Sequence, residues 1–96
     1  LNVDVTGETC PHFLEFTVED FMVLGSVLKT APVVKKVRDR IELWDVLSKG
    51  GLSFVASDHA PCTLAEKRTG SIWTDYSGIA GTGTMLLYMY SEGFRQ

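Results

Sequence analysis

The feature that most constrains the fold is the join inside Leu52–Cys62, LSFVASDHAPC. The apolar run Leu52–Ala56 has no strong alternation. That suits a strand covered on both faces, as in a parallel sheet. It stops at Ser57 and is followed at once by Asp58, His59, Pro61 and Cys62. Groups that resist burial thus follow a strand that demands it. Such a join belongs at the C-terminal edge of parallel strands, where loops converge and sites form.

The rest of the chain alternates in the same sense. Leu1, Val3 and Val5 recur with a period of two and predict a first strand. CPHFLEF extends or follows it, with Pro11 breaking any ladder. Thr17 opens TVEDFMVLG with a capping-box spacing to Asp20, and Gly25 is a natural stop for that short helix. SVLKTAPVV reads as a short extended segment. The strongest helical signal runs from about Val34 to Ser48, with Val37, Ile41, Trp44 and Leu47 on one stripe. After the Leu52–Ala56 strand, TLAEKRTGSIWTDYSGIAGTG reads as loop, and TMLLYMYSEG as a buried helix ending at Gly93. Strand–helix repetition of this kind predicts an α/β fold with parallel strands covered by helices. Two or three such units cannot cover both faces of their own sheet. The chain is therefore expected to need more strands beside it and, alone, to self-associate.

Composition excludes several classes. With 45% hydrophobic and 22% charged residues, the 96-residue chain has the balance of one small globular domain. A net charge of −3 with both signs interspersed gives no footprint for nucleic acid or an anionic membrane. No apolar run approaches the ~18 residues of a membrane span. Leu1 in place of Met fits a chain that begins inside a longer product. Two cysteines make no disulfide framework, and a reduced, cytoplasmic protein is expected.

Two clusters carry chemistry: ETCPH (Glu8–His12) and SDHAPC (Ser57–Cys62). An imidazole from one strand end and a carboxylate from another are ligand types for a zinc-like divalent ion. An Asp beside such an ion can also carry a proton. The plainer readings are a loop histidine at His12, a turn-capping Asp58 and a solvated surface pair at Glu66 and Lys67. A structural alternative uses Cys10, His12, His59 and Cys62 as a closed tetrahedral zinc site. A non-catalytic relative that keeps the fold for assembly is a third option.

The landmarks VTGETCPHFLEFT, LKTAPVV with RDRIELWDVLSKG, FVASDHAPC and GIAGTGTMLLYMYSEG resemble, in this order, the cyclic amidohydrolases. That family comprises dihydroorotase, allantoinase and the hydantoinase/dihydropyrimidinase group. The resemblance implies a fragment of a (β/α)8 TIM barrel over residues 1–96, comprising strands six to eight and their helices. It implies one or two divalent metals, commonly zinc. His12 matches a sixth-strand metal histidine, and Asp58 the eighth-strand aspartate, both metal ligand and proton carrier. In the resembled reaction a metal-activated hydroxide attacks the carbonyl of a cyclic amide, and Asp58 passes the proton to the leaving nitrogen. Substrate contacts would fall at Ala31, Cys62 and Gly78.

Ala31 stands where dihydroorotases usually carry asparagine, and Cys62 where they carry histidine. A cysteine there resembles allantoinases. A dihydroorotase-like hydrolase is the expected label, with allantoinase or hydantoinase close behind.

Overall fold

The computed structural model describes residues 2–95. Its sheet is one parallel pair, β1 (Glu8–Thr9) with β2 (Phe54–Val55), in register Glu8↔Phe54 and Thr9↔Val55. Flanking amides extend it: Ser53 N–H donates to the Gly7 carbonyl at 2.8 Å, and Ala56 N–H to the Thr9 carbonyl at 2.9 Å. The parallel pairing and the strand at FVAS agree with expectation. The position of the first strand does not. Residues 2–6 form no ladder, Leu1 lies outside the described residues, and the strand comes later, at Glu8.

The chain leaves β1 by turning directly into α1 (Pro11–Glu15). Pro11 occupies the first helical position, where its missing N–H costs nothing and its fixed φ favours the turn. The expected extension of the strand through CPHFLEF is thus a helix instead. α2 (Val18–Leu24) follows as the sequence suggests. Thr17 N–H donates to Asp20 Oδ2 at 2.8 Å, and Gly25 ends the helix at φ 62°.

SVLKTAPVV contributes no strand. Its start is a 3-10 turn (Gly25–Leu28), and Lys29–Lys36 run outside any ladder, with the Ala31–Pro32 peptide cis. β1 therefore pairs directly with β2, and no strand lies between them among the described residues. The segment expected as the seventh strand, within SVLKTAPVV, thus lies off the ladder here.

α3 spans Val37–Ser48, three residues shorter at its start than its periodicity suggests. Val34 sits before it, buried outside the helix. The helix packs on α1, and Trp44 Nε1 donates to the Leu14 carbonyl at 3.0 Å. Leu14 and Val34 are the most fully buried large side chains.

Much of the expected core is open. Phe54 is 49% exposed, so β2 is not covered on both faces within this chain. Ile41 of the α3 stripe is exposed too. α5 runs Thr82–Arg95, straight through Gly93, and leaves Leu86, Leu87, Tyr90 and Phe94 open. The apolar patterning is real, but its partners are not supplied by residues 2–95. The loop before α5 also holds a single helical turn, α4 (Leu64–Lys67), capped by Thr63 and Glu66.

Among the described residues, no helix is long and apolar enough to cross a membrane.

Candidate metal centre

The C-terminal ends of β1 and β2 bring three donors together. Cys10, His12 and Asp58 each offer a ligand atom, and these atoms lie within 4.8 Å of one another. Cys10 directly follows β1 and caps α1 with extended backbone, while His12 is the second residue of that helix. Asp58 stands three residues beyond β2. It has φ 49°, the only positive φ among described non-glycine residues. Aspartate tolerates this left-handed conformation better than most side chains. The turn aims its carboxylate back over β1, so that Oδ2 lies 3.9 Å from His12 Nε2.

The two partners sit in opposite environments. His12 is 5% exposed, and its Nε2 has no hydrogen-bond partner. The Asp58 side chain is 59% exposed. Burial pushes the His12 pKa below its ordinary 6.5, and the Asp58 charge opposes this only in part. His12 is therefore neutral at pH 7, and the pair is not an ion pair there. Burial, with help from Asp58 and Glu8, pushes the Cys10 thiol above its ordinary 9.0. A neutral imidazole with a free nitrogen, an accessible carboxylate and a nearby sulfur fit a borderline divalent cation. A buried ring nitrogen without a partner is otherwise costly.

These shifts set a pH window. Unfolding restores the ordinary pKa of His12, so the unfolded chain binds more protons as pH falls below 6.5. The unfolded Cys10 ionises more readily as pH rises past 9.0. Metal-stripped protein is therefore expected to melt highest between about 6.5 and 9.0 and to lose stability on both sides. A melting temperature that is flat across pH 5–7 in the wild type would contradict the burial of a neutral His12.

The tetrahedral zinc alternative fails on geometry. Of its four residues, only Cys10 and His12 belong to the cluster. His59 Nδ1 accepts from Gly81 N–H at 3.0 Å and from Thr82 N–H at 3.2 Å. That places the ring at the start of α5, satisfying amides that the helix itself leaves open. Cys62 lines a separate cavity of about 280 Å³ with Val27, Lys67 and Gly78.

The substrate candidates divide in the same way. Cys62 and Gly78 share that cavity, whereas Ala31 is exposed and outside it. Gly78 has φ 140°, and a Cβ there would stand 2.6 Å from the Ala60 Cβ, so only glycine fits. Lys67 is not half of a solvated pair: it is 5% exposed. Glu66 instead accepts from Thr63 N–H at 2.6 Å. Cys10 belongs to the site although its sequence context suggested only the tetrahedral alternative. The signal available was its position two residues before His12.

A parallel pair whose following loops gather a carboxylate, an imidazole and a thiol is a candidate site for a divalent cation. Comparison with known proteins makes the class specific. No protein-family model matches the chain. An allantoinase of Bacillus velezensis is 42% identical over 87 residues, 91% of this chain and 19% of its own length. An allantoinase of Rubrobacter xylanophilus is 38% identical over 92 residues, 96% of this chain and 20% of its own. Among solved structures, the L-hydantoinase (dihydropyrimidinase) from Arthrobacter aurescens superposes with TM-score 0.89 at 31% identity. It covers 96% of this chain and 21% of its own. The dihydropyrimidinase from Brevibacillus agri gives TM-score 0.89 at 26% identity. By this homology the chain belongs to the cyclic amidohydrolases and corresponds to their C-terminal part. It spans about a fifth of the length of the relatives it matches.

Proposed function

We propose that residues 1–96 form part of the catalytic site of a metal-dependent hydrolase that opens cyclic amides, built as part of a (β/α)8 barrel. The observation that carries this reading is the convergence of Asp58 on His12 at the C-terminal edge of the β1–β2 pair, in a chain homologous to allantoinases and hydantoinases. We read β1 and β2 as the sixth and eighth strands of that barrel, with Lys29–Lys36 between them in sequence and off the ladder. On that reading His12 is the sixth-strand metal histidine and Asp58 the eighth-strand aspartate, which their 3.9 Å approach supports.

An Asp58 carboxylate oxygen and the free Nε2 of His12 are the atoms that would hold a divalent ion such as zinc, with Cys10 next in reach. Bound there, the ion would supply Lewis acidity, polarising a carbonyl and lowering the pKa of water. The chain's own contribution is different. Asp58, exposed and aimed by its left-handed backbone, can accept a proton from the attacking water and return it to the leaving ring nitrogen. His12, buried and neutral, offers its free Nε2 to the ion and is not charged at neutral pH. Cys62 and Gly78 are carried as substrate contacts on the family resemblance; they line a cavity that shares Ile79 and Ala80 with the one beside His12.

Among substrates, a hydantoin-type ring such as allantoin is preferred. The relatives named above are allantoinases and hydantoinases, and Cys62 stands where a dihydroorotase usually has histidine. The test is steady-state hydrolysis by the complete protein, metal supplied, of allantoin, hydantoin, dihydrouracil and dihydroorotate. The expected result is highest kcat/KM on allantoin or hydantoin. Preference for dihydroorotate would restore the dihydroorotase reading, and hydrolysis of none would overturn the enzyme reading.

The open faces carry a separate expectation. Leu86, Leu87, Tyr90 and Phe94 on α5, with Val3, Val5 and Phe54, leave apolar surface that a stable monomer rarely shows. The 96-residue chain on its own is expected to self-associate, through these faces and the edges of its two-stranded sheet. Light scattering that finds a monomer with a cooperative melt would contradict this.

A further inference from the structure

Lys67 is the most buried ammonium among the described residues, and nothing in the reaction outlined above uses it. Its Nζ donates to the Lys29 carbonyl at 2.9 Å. The same carbonyl accepts the Gly78 N–H, also at 2.9 Å. One oxygen therefore receives two donors, one from α4 and one from the glycine loop. Lys29 in turn sends its own Nζ to the Ile72 carbonyl at 2.7 Å and the Asp75 carbonyl at 2.6 Å. Buried Asp75 accepts from Ser26 Oγ and, at 2.7 Å, from Thr69 N–H. Tyr76 N–H closes back on the Glu66 carbonyl at 2.8 Å, and the Tyr76 ring lies 5.9 Å from Lys67 Nζ. Lys67 also shares its cavity with Cys62 and Gly78.

We propose that Lys67 is a positioning residue for substrate, clamping the Lys29–Ala31 segment, the Cys62 loop and the Gly78 loop into one rigid wall through the Lys29 carbonyl. This rests on the hydrolase reading. The chemistry favours a role in shape over one in structure alone. Burying an ammonium is expensive, and a leucine of similar reach would pack the same space more cheaply. What the ammonium adds is a directed hydrogen bond to the carbonyl that also holds Gly78. A shift of about 1 Å in such a wall can cost about 10²-fold in catalysis or binding.

Two variants of the complete protein test this, Lys67→Met and Lys67→Gln. Methionine keeps the volume and loses the donor, whereas glutamine keeps an N–H for the carbonyl without the charge. Lys67→Met is expected to raise KM for the ring about tenfold with kcat within about threefold. Metal content should stay unchanged, and amide exchange at Ser77–Gly81 should quicken. Lys67→Gln is expected to recover most of the KM and slow the exchange again. The proposal is overturned if Lys67→Met leaves KM and exchange unaltered, if kcat and metal content fall with KM constant, or if neither variant folds. Amide exchange needs no substrate. Faster exchange in Lys67→Met, reversed in Lys67→Gln, in a protein that hydrolyses no ring would uphold the clamp and reject the hydrolase reading instead.

Discussion

Asp58→Asn in the complete protein should lower turnover of the cyclic amide at least about a hundredfold while the fold survives. The substitution is chosen for its backbone as much as for its charge. Asp58 has φ 49°, and asparagine tolerates the left-handed region about as well as aspartate. Alanine would add strain of roughly 1–2 kcal/mol and confuse loss of charge with loss of the turn. Asparagine keeps the shape and one coordinating oxygen but cannot carry a proton at neutral pH. General acid–base contributions are typically about 10²–10⁴-fold, and weaker metal binding adds to that. The check is steady-state hydrolysis beside a thermal melt and metal content. Retention of more than about a tenth of wild-type turnover would make Asp58 a turn residue and remove the proposed proton carrier.

His12→Ala should act through the metal. The ring is buried, neutral and unpartnered at Nε2, and faces the Asp58 carboxylate at 3.9 Å. Its loss removes one ligand atom of the proposed centre, and metal affinity is expected to fall at least about 10–100-fold. Activity should return in part with excess zinc. Metal titration of the variant beside the wild type measures this. Full metal affinity together with full activity would leave His12 as a packing residue of α1.

The parts of this fold that were legible in the sequence are those fixed by local chemistry. Thr17 and Asp20 announce a capping box, and Gly25 ends the helix they begin. The strand before Ser57 and its parallel sense could be read from an apolar run ending in polar groups. The misread parts are those where the choice is tertiary. Pro11 is compatible with a strand edge or with the first turn of a helix, and here the helix wins. SVLKTAPVV has β-branched residues enough for a strand, but Pro32 and the 3-10 turn keep it off the ladder. Apolar stripes on α3 and α5 say which face wants covering and not what covers it. Residues 2–95 leave Ile41, Leu86 and Leu87 open.

The site divides along the same line. Asp58 and His12 could be singled out by residue type and strand-end position, yet their approach could not, because it depends on the left-handed turn at Asp58. Lys67 reads as solvated from the sequence because it stands next to an opposite charge, Glu66. Only the packing of α4 on the 3-10 turn brings its ammonium to the Lys29 carbonyl.

The most direct measurement is anomalous diffraction at the zinc edge from crystals of the complete protein grown with zinc. The expected result is a peak about 2.0–2.2 Å from an Asp58 carboxylate oxygen, with the His12 ring beside it. A peak elsewhere, with Asp58 facing only solvent, would contradict the placement of the catalytic centre at the ends of β1 and β2.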